Sequence, residues 1–238
     1  MPIEPLNTYA PPFETIELRR QLSAFLDREV TDPNTGNQVS VGDYKFGVYA
    51  FFDYDGEPIY VGQTNERLRT RIRRHLTNQR TDAVAMKVLD PFEVYEIEVW
   101  PLPQYETLPT SAAEARKHLN WLELTVFKTL LDKSHFHAVL NEKDPTDVPD
   151  SGYTLPPSCR GKIVSDDVYQ LRKHPDTRIA RRAETLSLLA KVISERQVQK
   201  GLRRTLLTQA KRLAWLAERR VTALPDLPDE ITEINDER

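Results

Sequence analysis

The stretch Lys45–Gly62, KFGVYAFFDYDGEPIYVG, decides the fold of this chain. Two runs rich in aromatic and β-branched residues, one around Tyr49 and one around Tyr60, flank the dipeptide Asp55-Gly56. An Asp-Gly pair between two such runs is typical of a tight turn that joins antiparallel strands. The pattern therefore predicts a β-hairpin that brings two tyrosines together on one small sheet.

A helix is predicted directly after this hairpin, from about Glu66 to Asn78. Arg71 and His75 are four residues apart, so they lie on the same side of that helix. The spacing places three apolar residues on its buried face: Leu68, Ile72 and Leu76. Tyrosines, an arginine and a histidine at one site are more typical of a site that acts on a phosphate group than of a packed hydrophobic core.

Further periodic segments complete an α+β fold, a small three-stranded antiparallel sheet flanked by helices. Phe92–Pro101 alternates as a third strand, and Ala112–Leu131 is the clearest helix. Four other segments are assigned from their pattern: a helix from Phe13 to about Glu29, a Pro-rich linker over 142–164, and two amphipathic helices over Thr177–Ser194 and Gln197–Thr222. The two C-terminal helices are expected to form an antiparallel hairpin.

These segments predict four parts: an N-terminal arm (1–43), a catalytic core (44–142), a linker (143–164) and a basic helical extension with an acidic tail (165–238). The arm is expected to pack on the core or on a partner subunit.

Composition narrows the class of protein. The chain has 238 residues and a net charge of −3. Its single cysteine, Cys159, excludes an internal disulfide and a cysteine-based zinc cluster. It contains no apolar run long enough for a membrane span and no signal-peptide pattern, so a cytoplasmic protein is expected. The segment Arg160–Arg220, however, contains sixteen basic residues and six acidic ones, whereas 226–238 contains six acidic residues and one basic residue. Such asymmetry indicates nucleic acid as a partner, although a solvated helical surface would explain it equally well.

The motifs of the hairpin and the helix resemble those of the GIY-YIG nuclease superfamily. Its two name motifs are matched by GVY and YVG, and its R-x3-H pattern by Arg71 and His75. A later helix with a metal-binding glutamate and an asparagine after an apolar run are matched by Glu123 and Asn141. The resemblance covers about residues 44–142 and implies the small α+β fold of that family, built around a GIY-YIG core.

The resemblance also implies a role for each matched residue. Tyr49 would act as general base or proton relay for the attacking water, and His75 would assist in proton transfer. Arg71 would bind the scissile phosphate, and Tyr60 would line the same pocket. Arg71, His75 and a metal are expected to favour the Tyr49 phenolate.

Two further roles concern the cofactor. Glu123 is the candidate ligand for Mg²⁺ (or Mn²⁺), and Asn141 would hydrogen-bond a catalytic group or a metal-bound water. The residue types by themselves also fit purely structural roles. The tyrosines would be ordinary strand residues, Glu123 the exposed face of an amphipathic helix, His75 a surface residue and Asn141 a turn cap.

The leading hypothesis for function is a metal-dependent DNA endonuclease that acts on double-stranded DNA, most like the type II restriction branch. The segment Ser165-Asp166-Asp167…His174-Pro175 weakly resembles a stretch at the same place in some of those enzymes. A palindromic site would require a homodimer or two successive nicks, and a restriction enzyme would have a cognate methyltransferase as its functional partner. Candidate DNA contacts come from the two basic regions: Arg67 and Arg74, and Arg178, Arg181 and Arg182.

Three alternatives compete with this hypothesis. The chain would be a repair or mobile-element nuclease of the same superfamily, or a DNA-binding or assembly protein that keeps the fold without catalysis. In the third alternative the C-terminal helical hairpin docks a partner protein. Steep salt dependence of binding would favour DNA over a protein partner.

Overall fold

A computed structural model describes residues 11–77, 88–141, 144–149, 152–198 and 200–225. The acidic tail predicted over 226–238 lies outside these residues. The described part contains six α-helices: α1 (Phe13–Leu26), α2 (Leu68–Leu76), α3 (Ala113–Lys133), α4 (Asp166–Arg172), α5 (Pro175–Glu195) and α6 (Lys200–Ala223). It contains six strands: β1 (Glu29–Thr31), β2 (Gln38–Ser40), β3 (Gly47–Phe52), β4 (Pro58–Thr64), β5 (Glu96–Pro101) and β6 (Cys159–Lys162). None of the helices described is long and apolar enough to cross a membrane.

The main sheet confirms the α+β class and the predicted hairpin. Its strand order is β4-β3-β5-β6, and each neighbouring pair is antiparallel. All six residues of β3 are buried, as expected for a strand with neighbours on both sides and packing on both faces. Strand β5 is shorter than the predicted Phe92–Pro101, because Pro91 begins a 3-10 turn that the Asp90 side chain caps.

A fourth strand of this sheet comes from the segment predicted to be a linker. Strand β6 pairs with β5 in the register Glu96↔Lys162 to Val99↔Cys159. Its sequence, CRGK, has no β-rich or alternating apolar pattern, so its pairing with β5 decides its conformation. The sheet therefore has one strand more than the three predicted.

Two hydrophobic clusters lie on the two faces of this sheet. On one face Val48, Ala50 and Val61 pack against α3. On the other, Tyr49 and Phe51 share one cluster with apolar residues of four helices, which include Leu22 of α1, Ile72 of α2, Leu189 of α5 and Leu202 of α6. The arm therefore packs on the core, as predicted for its described part.

The side chain of Asp53 shapes the turn between β3 and β4. Its Oδ1 accepts hydrogen bonds from the backbone N–H groups of Asp55 (2.8 Å) and Glu57 (3.0 Å). Gly56 has φ +78, a left-handed conformation that glycine adopts without steric cost. These features confirm the predicted tight turn.

The C-terminal helices form the antiparallel pair that their apolar stripes predicted. Arg220, near the end of α6, donates to Asp176 at the start of α5 at 2.8 and 3.0 Å. Helix α5 begins with His174 as its cap and Pro175 in its first turn.

A buried ion cluster attaches this helical pair to the β3–β4 turn. Three arginines of α5 and α6 pair with three carboxylates that lie between β3 and β5 in the sequence: Arg178, Arg182 and Arg212, and Asp53, Asp55 and Glu93. Arg182 lies 2.8 Å from Asp53 and 3.1 Å from Glu93, and Arg212 also contacts Asp53. Pairing with Arg178 and Arg182 lowers the pKa of Asp55 against the effect of burial.

This cluster corrects the expectation that Arg178 and Arg182 contact DNA. Both side chains are buried and directed at carboxylates, so they are not exposed to a duplex. The sequence could not reveal this, because their partners Asp53 and Asp55 lie more than a hundred positions away in the chain.

We expect Asp53→Asn to lower the free energy of unfolding by about 3–5 kcal/mol, because it removes the counter-charge that buried Arg212 contacts and one of the counter-charges of Arg182. The amide oxygen of asparagine can still accept the two turn hydrogen bonds, so the change isolates the charge. Urea denaturation at neutral pH measures the effect. The matched control is Asp147→Asn, whose side chain is 90% exposed and pairs with Lys128 at 3.5 Å, so the expected loss is below about 1 kcal/mol. Equal losses in the two variants would contradict a stabilising role for the cluster.

Candidate active site

Tyr49 lies directly over Gly62, its cross-strand partner in the β3–β4 pair. A Cβ atom at position 62 would lie 2.6 Å from the Tyr49 hydroxyl and 2.8 Å from Tyr60 Cε1. No real side chain tolerates such distances, so the two tyrosine side chains occupy this space only because residue 62 is glycine. This contact is the physical reason for the glycine in the YVG sequence.

Tyr49, Tyr60 and His75 form one compact group on this face of the sheet. The His75 ring centroid lies 5.9 Å from that of Tyr49 and 5.2 Å from that of Tyr60, and the two tyrosine centroids are 6.1 Å apart. Phe51 packs beside them, 5.7 Å from Tyr60. The hairpin and α2 therefore bring together residues that the sequence placed at one site.

Several polar atoms of this group are buried without a hydrogen bond of ordinary geometry inside the described chain. They are the hydroxyl of Tyr49, Nε of Arg71 and Nε2 of His75. Arg71 is nevertheless close enough to Tyr49 to oppose part of the rise in the pKa of the Tyr49 hydroxyl that burial causes. Buried polar groups are normally hydrogen-bonded, so three such atoms at one place are characteristic of a site that binds a polar ligand.

The protonation states at this site differ from the expectation for Tyr49. Burial raises the pKa of Tyr49 well above 10, and the nearby Arg71 only partly opposes this effect. Burial, together with Arg71 and Arg74, lowers the pKa of His75 to about 4. Without a bound cation the site therefore holds a neutral phenol and a neutral imidazole at neutral pH, whereas the expected phenolate relied on a metal as well. A neutral imidazole can accept a proton.

Glu123 approaches from α3, on the other face of the sheet. Its Oε2 accepts a hydrogen bond from the side-chain amide of Gln63 at 2.9 Å. Burial raises the pKa of Glu123 to about 7, although Gln63 and Arg71 act in the opposite direction. The carboxylate is thus largely removed from water and within electrostatic range of Arg71, unlike a glutamate on a solvated helix face.

Gln63 and Asn120 are site residues that the sequence analysis missed. The Gln63 amide bridges the side-chain oxygens of Asn120 and Glu123, each at 2.9 Å. It therefore fixes the orientation of the Glu123 carboxylate. Two signals were present in the sequence: Gln63 follows YVG directly, and Asn120 precedes Glu123 by three residues, close to one helical turn.

Asn141 has a different position from the one expected. Its Oδ1 accepts from the backbone N–H of Val61 at 3.0 Å, and its Nδ2 donates to the Val61 carbonyl at 2.7 Å. The side chain therefore pairs with the outer edge of β4 like a short strand, whereas the resemblance implied a hydrogen bond to a catalytic group or to a metal-bound water. The neighbouring Leu140 N–H donates to Ile59 in the same way. Asn141 positions the strand that carries Tyr60.

The other predicted DNA contacts vary in exposure. The Arg67 side chain is largely exposed and lies 3.8 Å from Asp43. The guanidinium of Arg74 donates two hydrogen bonds to the carboxylate of Glu66, at 2.7 and 2.9 Å. Arg181 is partly exposed and pairs with Asp90 at 3.4 Å. Arg67 therefore keeps the greatest freedom to contact a phosphate.

The donors at this site fit a loosely held divalent cation. Within the described residues no three His, Cys, Asp or Glu side chains are arranged to hold a metal ion. Mg²⁺ commonly binds through one or two carboxylates together with waters and substrate phosphates. A single, largely buried carboxylate within electrostatic range of Arg71 fits that mode of binding.

Comparison with known families identifies the core. The family model of the GIY-YIG catalytic domain matches residues 45–106. The match supports the GIY-YIG superfamily and, in general, a nuclease that hydrolyses phosphodiester bonds. It includes Tyr49, Tyr60, Arg71 and His75, but Glu123 and Asn141 lie outside it. Searches of curated proteins and of solved structures give no match.

In metal-free buffer we expect Glu123→Gln to raise the free energy of unfolding at neutral and alkaline pH, but not at acidic pH. The pKa of Glu123 is raised from 4.5 to about 7 in the folded chain. Because the folded state then binds the proton more tightly than the unfolded state, the wild-type protein loses stability as pH rises from about 4.5 through 7. The neutral variant avoids that loss, so its excess free energy of unfolding should grow from near zero at pH 4.5 to at most about 3 kcal/mol at pH 8.

Urea denaturation of both proteins at pH 5 and pH 8, with a chelator present, tests this expectation. Glu184→Gln, at an exposed position of α5, is the control and should show no such pH dependence. A difference between Glu123→Gln and wild type that is the same at both pH values would contradict a buried, destabilised carboxylate.

Proposed function

We propose that this protein is a divalent-metal-dependent DNA endonuclease, and in particular a sequence-specific type II restriction enzyme. The observation that supports hydrolysis best is the convergence of Tyr49, Arg71 and His75, which have buried polar atoms without a hydrogen bond of ordinary geometry to any described residue. Glu123, held by Gln63 within electrostatic range of Arg71, adds the carboxylate that a cation requires.

Each side chain has a role that follows from its position. Arg71, a fixed and permanently charged fork, binds the non-bridging oxygens of the scissile phosphate and stabilises the negative charge that develops there. Tyr60 orients the phosphate or the attacking water. The Tyr49 oxygen accepts a proton from that water while its own proton passes to the neutral His75.

This relay agrees with the protonation states of the site. A phenol whose pKa burial raises cannot serve as a standing base, but it can transfer a proton when an acceptor adjoins it. His75, with a pKa of about 4, is neutral at pH 7 and supplies that acceptor. A divalent cation bound through Glu123, waters and phosphate oxygens would add positive charge at the scissile phosphate.

The restriction assignment is the finer part of the proposal. The arm and the C-terminal helices pack in one cluster with the catalytic strands, which suits an enzyme that couples site recognition to cleavage in a compact unit. A palindromic site would require a homodimer or two successive nicks, and a cognate methyltransferase would protect the host DNA. A cytoplasmic location belongs to the same proposal.

Cleavage of mixed-sequence plasmid and phage DNA with Mg²⁺ or Mn²⁺ tests the proposal. We expect discrete fragments with the wild-type protein and a loss of rate on the order of 100-fold or more with Glu123→Gln. Glu184→Gln should cleave normally, and both variants should bind DNA as tightly as wild type in fluorescence anisotropy.

Two further outcomes separate the competing functions. A smear that Glu123→Gln abolishes would retain the nuclease and reject sequence-specific restriction, in favour of a repair-like enzyme. Tight, salt-sensitive DNA binding without cleavage by any divalent cation would reject the nuclease and favour a non-catalytic DNA-binding protein.

A further inference from the structure

Five exposed basic residues lie along one side of the N-terminal half of the last helix and in the turn before it. Arg196 lies in the turn before α6, and the other four lie on α6 with spacings that place them on one side of the helix: Lys200, Arg203, Arg204 and Lys211. We call these five residues the α6 basic stripe. Every member is exposed.

The charge of this stripe is largely uncompensated. Arg204 pairs with Asp144 at 2.7 Å, but the other four members make no ion pair within the residues described. Glu195, next to Arg196, lies 4.0 Å from Lys191 instead. The stripe thus contrasts with Arg178, Arg182 and Arg212, whose charges are neutralised inside the protein.

The dimensions of the stripe suit a nucleic acid duplex. Lys200 and Lys211 are eleven residues apart, which corresponds to about 16 Å along a helix. Double-stranded DNA carries one negative charge per about 1.7 Å of its axis when both strands are counted, which is about 3.4 Å per base pair. The part of the stripe on α6 therefore extends over about five base pairs.

The stripe is also joined to the candidate active site. Leu202, between its first two α6 members, packs in the same hydrophobic cluster as Tyr49 and Ile72. Arg204 contacts Asp144, three residues after Asn141, whose side chain pairs with Val61 of β4. The N-terminal half of α6 thus contacts the hydrophobic cluster that contains Tyr49 through Leu202, and Asp144 through Arg204.

We propose that the α6 basic stripe binds the phosphate backbone of duplex DNA that enters the candidate active site. This inference rests on the proposed nuclease function and replaces the buried Arg178 and Arg182 as the C-terminal DNA contacts. Lysine and arginine bind phosphate oxygens and release condensed counterions, so the contribution is independent of sequence and sensitive to salt. The stripe holds the duplex, while Arg71 contacts the scissile phosphate.

The test measures DNA binding against salt concentration in the full-length Glu123→Gln background, which prevents cleavage. The substrate is a fluorescently labelled duplex of mixed sequence, and the readout is anisotropy. Lys200→Ala/Arg203→Ala should reduce the slope of log K against log salt by about 1.8, because each lost phosphate contact removes about 0.9. All variants are first checked for an unchanged urea midpoint, which exposed substitutions should preserve.

Lys128→Ala/Lys133→Ala is the matched control. It removes two exposed charges from α3, which packs on the opposite face of the sheet from the cluster that contains Leu202. The control slope should stay at the parent value. Equal slope changes in the two double variants would indicate a general effect of net charge and overturn the proposal.

The remaining outcomes distinguish this inference from the proposed function. If the wild-type protein cleaves DNA but the stripe variant keeps the parent slope, the stripe proposal is wrong and the nuclease stands. If no cleavage occurs with any metal but the stripe variant shows the smaller slope, the nuclease is wrong and the stripe stands. Binding to polyglutamate in preference to the duplex would overturn the proposal in favour of an acidic protein partner.

Discussion

The fold depends on the buried carboxylate of Asp53. One of its oxygens accepts the backbone hydrogen bonds that form the β3–β4 turn, and the other contacts Arg182 and Arg212 of the C-terminal helices. A single side chain thus determines the geometry of the hairpin and the attachment of a segment far along the chain. Removing two charges from water is costly unless each finds a partner, so the turn and the helical pair favour one another's native arrangement.

The candidate site depends on that same hairpin. The register Tyr49↔Gly62 places a phenol where a glycine leaves room, and Asn141 holds the outer strand in this register through Val61. A shift of one residue would move Tyr49 to the opposite face and separate it from His75. The chemistry therefore requires a precise strand pairing that the ion cluster at one end and the asparagine at the edge both stabilise.

Local patterns in the sequence predicted the hairpin, the buried face of α2 and the boundaries of the long helices to within a few residues. Features that depend on distant partners were not predictable in this way. Arg178 and Arg182 have the composition and spacing of a solvated basic face, and only Asp53 and Asp55 make them interior residues. Strand β6 has no pattern of its own, and the pKa values of Tyr49 and His75 follow from burial that no local window encodes.

The distribution of basic residues has a consequence for how substrate binding relates to catalysis. The sequence between Arg160 and Arg220 carries an excess of basic over acidic residues, but part of that excess is neutralised inside the protein and cannot attract a polyanion. The exposed basic residues include several on α6, whose residue Leu202 packs in the same hydrophobic cluster as Tyr49. Close-packed interiors transmit displacement rather than absorb it. A force applied to α6 by a bound polyanion would therefore act on the packing around Tyr49, so the helix proposed to hold the DNA would also help to keep the strands of the candidate site in place.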